Sequence, residues 1–244
     1  TAERIRALCH RQTGIGADGI LVRTKEQGGA DHRMLLFNAD GSPAEISGNG
    51  LRCFVLFLRE RGYPVDLELA VETGGGIQRA RLLDAHTVES TMPAPTFTGG
   101  QGGVKPVELR EKDQTFPVIS VNVGNPHGVI FGPERDIPFA KTYGPGLEKN
   151  SAFPAGANIE FVHVLDNHTC QLVVWERGAG ITLACGSGSV ATACAGAAVE
   201  HFAFDQPIAV HQPGGTLHVT VASDFKEIRQ RGPATFVFQG EINI

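Results

Sequence analysis

The 244-residue sequence contains no cluster of basic residues: 21 Lys and Arg stand against 26 Asp and Glu, a formal charge of −5. That balance argues against nucleic acid or an anionic membrane as the partner. No long uninterrupted apolar run and no signal-peptide pattern occur, so a soluble cytoplasmic protein is expected. The five cysteines are odd in number and lack framework spacing, which argues against a disulfide scaffold and for a reducing compartment. Nine histidines supply no His-x-x-x-His pair and no Cys-x-x-Cys occurs, so no metal is expected. Glycine, by contrast, is abundant: 31 residues, about 13% against a usual ~7%, with no Gly-X-Y period. Many tight turns and close backbone approaches follow. With 41% apolar and 19% charged residues the chain is globular, and its length suits one large domain or two modest ones.

The chain opens without Met on Thr1-Ala2-Glu3-Arg4, a helix N-cap pattern, and a helix is expected over 2–11. Beginning inside such an element suggests a fragment of a longer protein. Strands are expected at 19–23 and 32–37, then a helix over 51–61 opened by Ser47-Gly48-Asn49-Gly50 and stopped by Gly62. Short β-type runs fill 65–92, and the prolines and glycines of 93–103 read as a linker. In the second half, strands are expected at 107–109, 117–123, 159–165 and 170–175. A helix of small residues over about 189–201 follows Cys185-Gly186-Ser187-Gly188. The segments 208–221 and 234–244 alternate like strands.

These halves repeat. A strand ends at Asn38 and a glycine turn begins a helix at Ser47; a strand ends at Glu176 and a glycine turn begins a helix at Cys185. Adding 138 carries the first pair onto the second. Two features at one offset favour a duplicated α/β unit. A helix N-terminus offers unpaired N–H groups and a positive dipole end, so two of them are expected to hold one carboxylate. At such a position the Cys185 thiolate is favoured and its pKa lowered from ~8.5, which suits a proton acceptor beside a carboxylate. The plainer reading of Cys185 is a small buried hydrophobe.

Other signals carry less. Gly14-Ile15-Gly16-Ala17-Asp18-Gly19 spells a dinucleotide fingerprint, but a helix precedes it and a strand follows, the wrong order. Neither glycine turn has the Lys of a phosphate loop, and no Gly-x-Ser-x-Gly elbow occurs.

At these residues the sequence resembles the diaminopimelate epimerase family. The matching segments are 13–19, 37–42, Gly48-Asn49-Gly50-Leu51-Arg52-Cys53, Gly124-Asn125-Pro126-His127, Gly156-Ala157-Asn158 and 176–188, in family order. The resemblance implies an α/β (α+β) fold of two pseudo-symmetric halves. Each is a curled mixed sheet around a central helix, and the active site lies in the cleft between them. The halves are expected at 1–93, with a strand at about 235–244 returning to it, and at 94–234. It implies cofactor-independent conversion of LL- to meso-diaminopimelate, by a homodimer, with two cysteines as opposed acid and base. Cys185 matches one; the other position is Ser47. Gly48, Asn49, Gly186 and Ser187 would grip the α-carboxylate through backbone N–H groups. Asn38, Asn125, Asn158 and Arg177 match substrate-binding positions, Glu176 would bind the amino group, and His127 and Glu176 tune the thiols. A serine hydroxyl does not ionise unaided, so two-base turnover is expected to be impaired. Cys53, six residues on, is past the first helical turn. The family's N-terminal strand, with its Gly-Asn-Asp-Phe segment, is not in this sequence. Ser47 fits an engineered Cys→Ser block, a divergent relative with one-sided chemistry, or an inactive relative that only binds. The alternatives are therefore a racemase or dehydratase of the proline racemase and hydroxyproline dehydratase type, or an amino-acid-binding module.

Overall fold

The computed structural model describes residues 1–65, 67–98 and 104–242. Two compact units divide the chain: Thr1–Thr91 with Gly232–Ile244, and Met92–Arg231. The first opens with α1 (Ala2–Cys9), whose N-cap Thr1 accepts from Arg4 N. Strands β1 (Gly19–Thr24), β2 (His32–Asn38) and β3 (Pro43–Ala44) lead to α2 (Gly48–Glu60), and β4 (Leu69–Thr73), β5 (Gly76–Leu82) and β6 (Thr87–Met92) follow. β2 pairs antiparallel with β1 and β3 and parallel with β4, and the β4–β5–β6 steps are antiparallel. The buried residues Leu51, Phe54, Val55 and Leu58 recur at helical spacing along α2. They cluster with Met34, Val71, Ala80 and Val88 of the sheet. This stripe seats the helix and leaves Cys53, Phe57 and Glu60 exposed on its other side.

In the second unit, β7 (Thr96–Thr98), β8 (Val107–Glu111), β9 (Gln114–Asn122) and β10 (Pro126–Phe131) precede α3 (Ile137–Glu148). Next come β11 (Asn158–Asp166), β12 (Thr169–Glu176), β13 (Gly180–Ile181), α4 (Gly186–Ala198), β14 (Pro207–Gln212), β15 (Gly215–Val221) and β16 (Ile228–Pro233). β12 pairs antiparallel with β11 and β13 and parallel with β14, and β14–β15–β16 are antiparallel. That is the pairing scheme of β1 to β6 over again. Adding 138 to both ends of Gly48–Glu60 gives Gly186–Ala198, so the two central helices coincide in the repeat. α4 differs in being buried at every residue from 188 to 197. Its Ala, Gly, Ser and Thr side chains let the sheet close in on all sides. At Gly196 a Cβ would collide with the Phe202 ring.

Several expectations needed correction. α1 ends at Cys9, two residues early, and β10 was not expected as a strand. α3 was missed because Pro138, Gly144, Pro145 and Gly146 disguise it; Asp136 caps it, accepting from Phe139 N, and Pro138 falls in the first turn, where no N–H is needed. The strand expected over 234–244 is absent from 234 to 242, and 243–244 lie outside the described residues. The strand is β16, at 228–233. Alternation alone does not make a strand; β16 has β15 for its ladder, whereas 234–242 pairs with no strand. Within the expected linker, 96–98 form β7 and 99–103 lie outside the described residues. Among the described residues no helix is long and apolar enough to cross a membrane.

Candidate active site

Both glycine turns cap their helices in the same way. Ser47, at φ −148° and ψ 120°, accepts from Gly50 N through its hydroxyl at 3.1 Å. Cys185, at φ −118° and ψ 115°, accepts from Gly188 N through Sγ at 3.3 Å. Each side chain thus satisfies a first-turn donor of its helix.

Around Cys185 the second unit gathers most of the expected residues. Ser187 Oγ lies 3.6 Å from Cys185 Sγ, and Asn125 Nδ2 donates to Ser187 Oγ at 3.4 Å. Asn125 Oδ1 is 2.8 Å from His127 Nε2, and His127 Nδ1 is 2.7 Å from Glu160 Oε1. Asn158 accepts from Arg177 N at 2.9 Å and donates to Pro126 O at 3.2 Å, tying the turn after β12 to the start of β10. Glu176 accepts from Thr182 Oγ1. The exposed Arg177 side chain donates to Ala155 O. Below the thiol, a closed ring fixes the backbone. Cys185 N donates to Gln212 Oε1 (2.7 Å), Gln212 Nε2 donates to Ser189 Oγ (2.8 Å), and that hydroxyl donates to Cys185 O (2.9 Å). Gln230 Nε2 holds Gly186 O at 2.8 Å.

The first unit is simpler. Asn49 Oδ1 accepts from the guanidinium of Arg52, one turn into α2, and Arg52 Nε also reaches Pro233 O at 3.4 Å. Burial depresses Arg52 to about 10. The exposed Asn38 donates from Nδ2 to Ser42 Oγ at 3.0 Å.

One electrostatic expectation is reversed. Cys185 is only 4% exposed, and burial, then the charges of Glu176 and Glu160, push its thiol above the ordinary range. Hydrogen bonds from Ser187 and Gly188 N pull the other way but do not win. The helix end stabilises a thiolate, yet desolvation is the larger effect.

Sequence reasoning missed Glu160, Gln212, Ser189, Gln230, Thr182, Arg52 and Glu148. Glu148 accepts from Trp175 Nε1 at 2.7 Å and from Gly178 N at 3.2 Å, steadying the turn that carries Glu176 and Arg177. The available signal was a charged or amide residue inside an apolar run, as in Ile159-Glu160-Phe161.

The family model for diaminopimelate epimerase matches residues 1–98 and 119–237. The chain belongs to the diaminopimelate epimerase family. It is 40% identical to a diaminopimelate epimerase of Desulforudis audaxviator, covering 97% of this chain and 87% of that one. With the Picosynechococcus enzyme of the same name it shares 36% identity over 100% of this chain and 90% of the relative. Solved structures share the fold of two similar halves. A predicted epimerase from Pseudomonas aeruginosa superposes with TM-score 0.73 at 16% identity, covering 99% of this chain and 87% of the other. A PhzF-family phenazine biosynthesis protein from Bacillus anthracis superposes with 0.70 at 20% identity, covering 100% and 90%. Among the described residues no group of three or more His, Cys, Asp or Glu could hold a metal ion.

Proposed function

We propose that this family member interconverts LL- and meso-diaminopimelate without a cofactor, by moving a proton at the α-carbon. The observation that carries the reading is Cys185. It heads a buried helix within reach of Gly188 N and of Ser187, which Asn125 holds in turn, in a chain that matches the family across most of its length. In this reading the N–H groups of Gly48, Asn49, Gly186 and Ser187 receive the α-carboxylate. Asn38, Asn125, Asn158 and Arg177 bind the rest of the substrate.

Glu176 takes the α-ammonium, and this step activates the thiol. Its carboxylate is one of the charges that oppose a Cys185 thiolate. A bound cation offsets that charge, so substrate binding lowers the thiol toward the working pH. The thiolate then removes the α-proton, its electron pair passing into the carboxylate held at the helix ends. A proton returned to the opposite face inverts the centre. Ser47 occupies the position 138 residues before Cys185, where the second acid or base belongs. A hydroxyl is a poor base and a poor acid here, so turnover is impaired.

The test is α-proton exchange in deuterated water with each diaminopimelate isomer. One-sided exchange, raised about 10²-fold or more in both directions by Ser47→Cys, supports the reading. Fast exchange from both isomers with Ser47 in place would overturn the impairment. Binding with no deuterium uptake, even in Ser47→Cys, would favour an amino-acid-binding module. Faster exchange with proline or hydroxyproline would favour the racemase or dehydratase reading. The reading extends to a cytoplasmic homodimer, supported by the five free cysteines and the family resemblance, and sedimentation tests the assembly.

A further inference from the structure

Glu160 on β11 is fully buried, with Gly188 between it and the Cys185 thiol. Glycine at 188 is what fits between the two. A Cβ there would lie 3.0 Å from Glu160 Oε1 and 3.2 Å from Cys185 Sγ. One carboxyl oxygen, Oε1, meets His127 Nδ1 at 2.7 Å, while Oε2 is buried with no hydrogen-bond partner among the described residues.

The directions of the hydrogen bonds follow from the donor inventory. Asn125 gives its Nδ2 to Ser187, so its Oδ1, an acceptor only, is what meets the imidazole. His127 Nε2 therefore carries a hydrogen. Two proton arrangements remain for the Glu160–His127 pair. In one, a carboxylate faces an imidazolium. In the other, a neutral imidazole accepts at Nδ1 from a carboxylic acid. Both side chains are wholly buried, and a carboxylate would leave charge on the unpartnered Oε2. The titratable groups facing Glu160 are His127 on β10, Glu176 at the end of β12 and Cys185 at the head of α4. Glu176 adds repulsion, and burial is the main effect that raises Glu160.

We propose that Glu160 is a protonated carboxylic acid that acts as a positioning residue. It donates to His127 Nδ1 and thereby aims the whole chain, through His127 Nε2–H, the Asn125 amide and the Ser187 hydroxyl, at Cys185 Sγ. Because Ser187 Oγ already accepts from Asn125, its own hydrogen is left for the sulfur. A neutral Glu160 also removes one of the negative charges that oppose the thiolate. The amide of Asn125 does not pass a proton along, so the chain orients and polarises and does not relay. The catalytic consequence rests on the proposed role of Cys185 as base; the position of the proton does not.

The decisive comparison is Glu160→Gln against Glu160→Leu. The Gln amide donates to Nδ1 as the acid does, so α-proton exchange and its pH profile are expected to stay within about threefold. Leu has no donor, and exchange should fall about 10–100-fold with the thiolate appearing at higher pH, read by its ultraviolet absorbance. If Gln loses as much as Leu, a carboxylate charge is what matters and the proposal fails. Nitrogen NMR of the unaltered, histidine-labelled protein reads the proton directly, whether or not the chain is active. A neutral His127 ring protonated at Nε2 is expected. An imidazolium signature would overturn the proposal and leave the epimerase reading untouched. A neutral ring in a protein that never exchanges the α-proton would do the reverse.

Discussion

The heads of α2 and α4 share a cap geometry and differ in the charge set beside it. At Ser47 the neighbouring charge is a cation: buried Arg52 holds Asn49, next to the Gly48 and Gly50 backbone. At Cys185 the neighbours are acids, Glu160 and Glu176. Equal backbone frames therefore acquire unlike properties. The first head suits an anion, because the helix dipole and a guanidinium act in the same sense. The second resists a negative charge until something neutralises a carboxylate near it. The same cap thus acquires opposite electrostatic surroundings, from Arg52 within α2 in one case and from Glu160 and Glu176 on β11 and β12 in the other.

The largest effect expected from this contrast is on proton transfer. Cys185→Ala should lower α-proton exchange by about 10²–10⁴-fold, while Ser47→Ala should change the remaining one-sided exchange little. Exchange with solvent deuterium, followed separately for the two isomers, checks both. Equal losses in the two variants would mean that the heads are chemically equivalent, and the contrast would be gone.

Packing around the two helices offers a second, smaller test. Gly196→Ala in α4 would drive a Cβ into the Phe202 ring, a buried side chain inside a helix that is enclosed throughout. Gly50→Ala in α2 would meet Ser47 Cβ at 3.2 Å and a Leu21 methyl at 3.3 Å, which a side chain can relieve by a small shift. We expect a loss of about 1–3 kcal/mol for the first and under about 1 kcal/mol for the second, by chemical denaturation. A reversed order would show that α2 is the more tightly enclosed helix.

Much of this was legible in the sequence because turns and caps are local. Ser47-Gly48-Asn49-Gly50 and Cys185-Gly186-Ser187-Gly188 announce helix starts, and their common offset exposes the repeat. The helix α3 was not legible, since its prolines and glycines read as breakers unless Pro138 is placed in the first turn. The 234–242 segment shows the opposite error: its β-forming apolar residues are real, but a strand is made by a partner, and the partner is not encoded locally. The site divides in the same way. Residues on the turns, such as Asn125, Arg177 and Cys185, could be picked out by motif. Glu160, Gln212 and Gln230 act from strands distant in sequence, and only the fold brings their polar ends under the thiol. The direction of the Cys185 shift was missed for a related reason. The helix end is visible in the sequence, whereas burial is not.

The smallest effect concerns pH, and it touches only the Cys185 side. Glu160 is raised in the folded protein, so its contribution to stability is complete below the unfolded glutamate value, about 4.3, and is lost as pH rises through the folded value. Above about 4.3 the unfolded glutamate gives up a proton that the folded one keeps, so stability should fall by up to about 1.4 kcal/mol per pH unit from this group until the folded value is passed. Glu160→Gln removes that proton and with it the fall. Denaturation midpoints of the two proteins should therefore diverge as pH rises above the unfolded glutamate value. Parallel curves there would mean that Glu160 gives up its proton early, leaving the Cys185 head with the charge that the contrast between the two helices says it avoids.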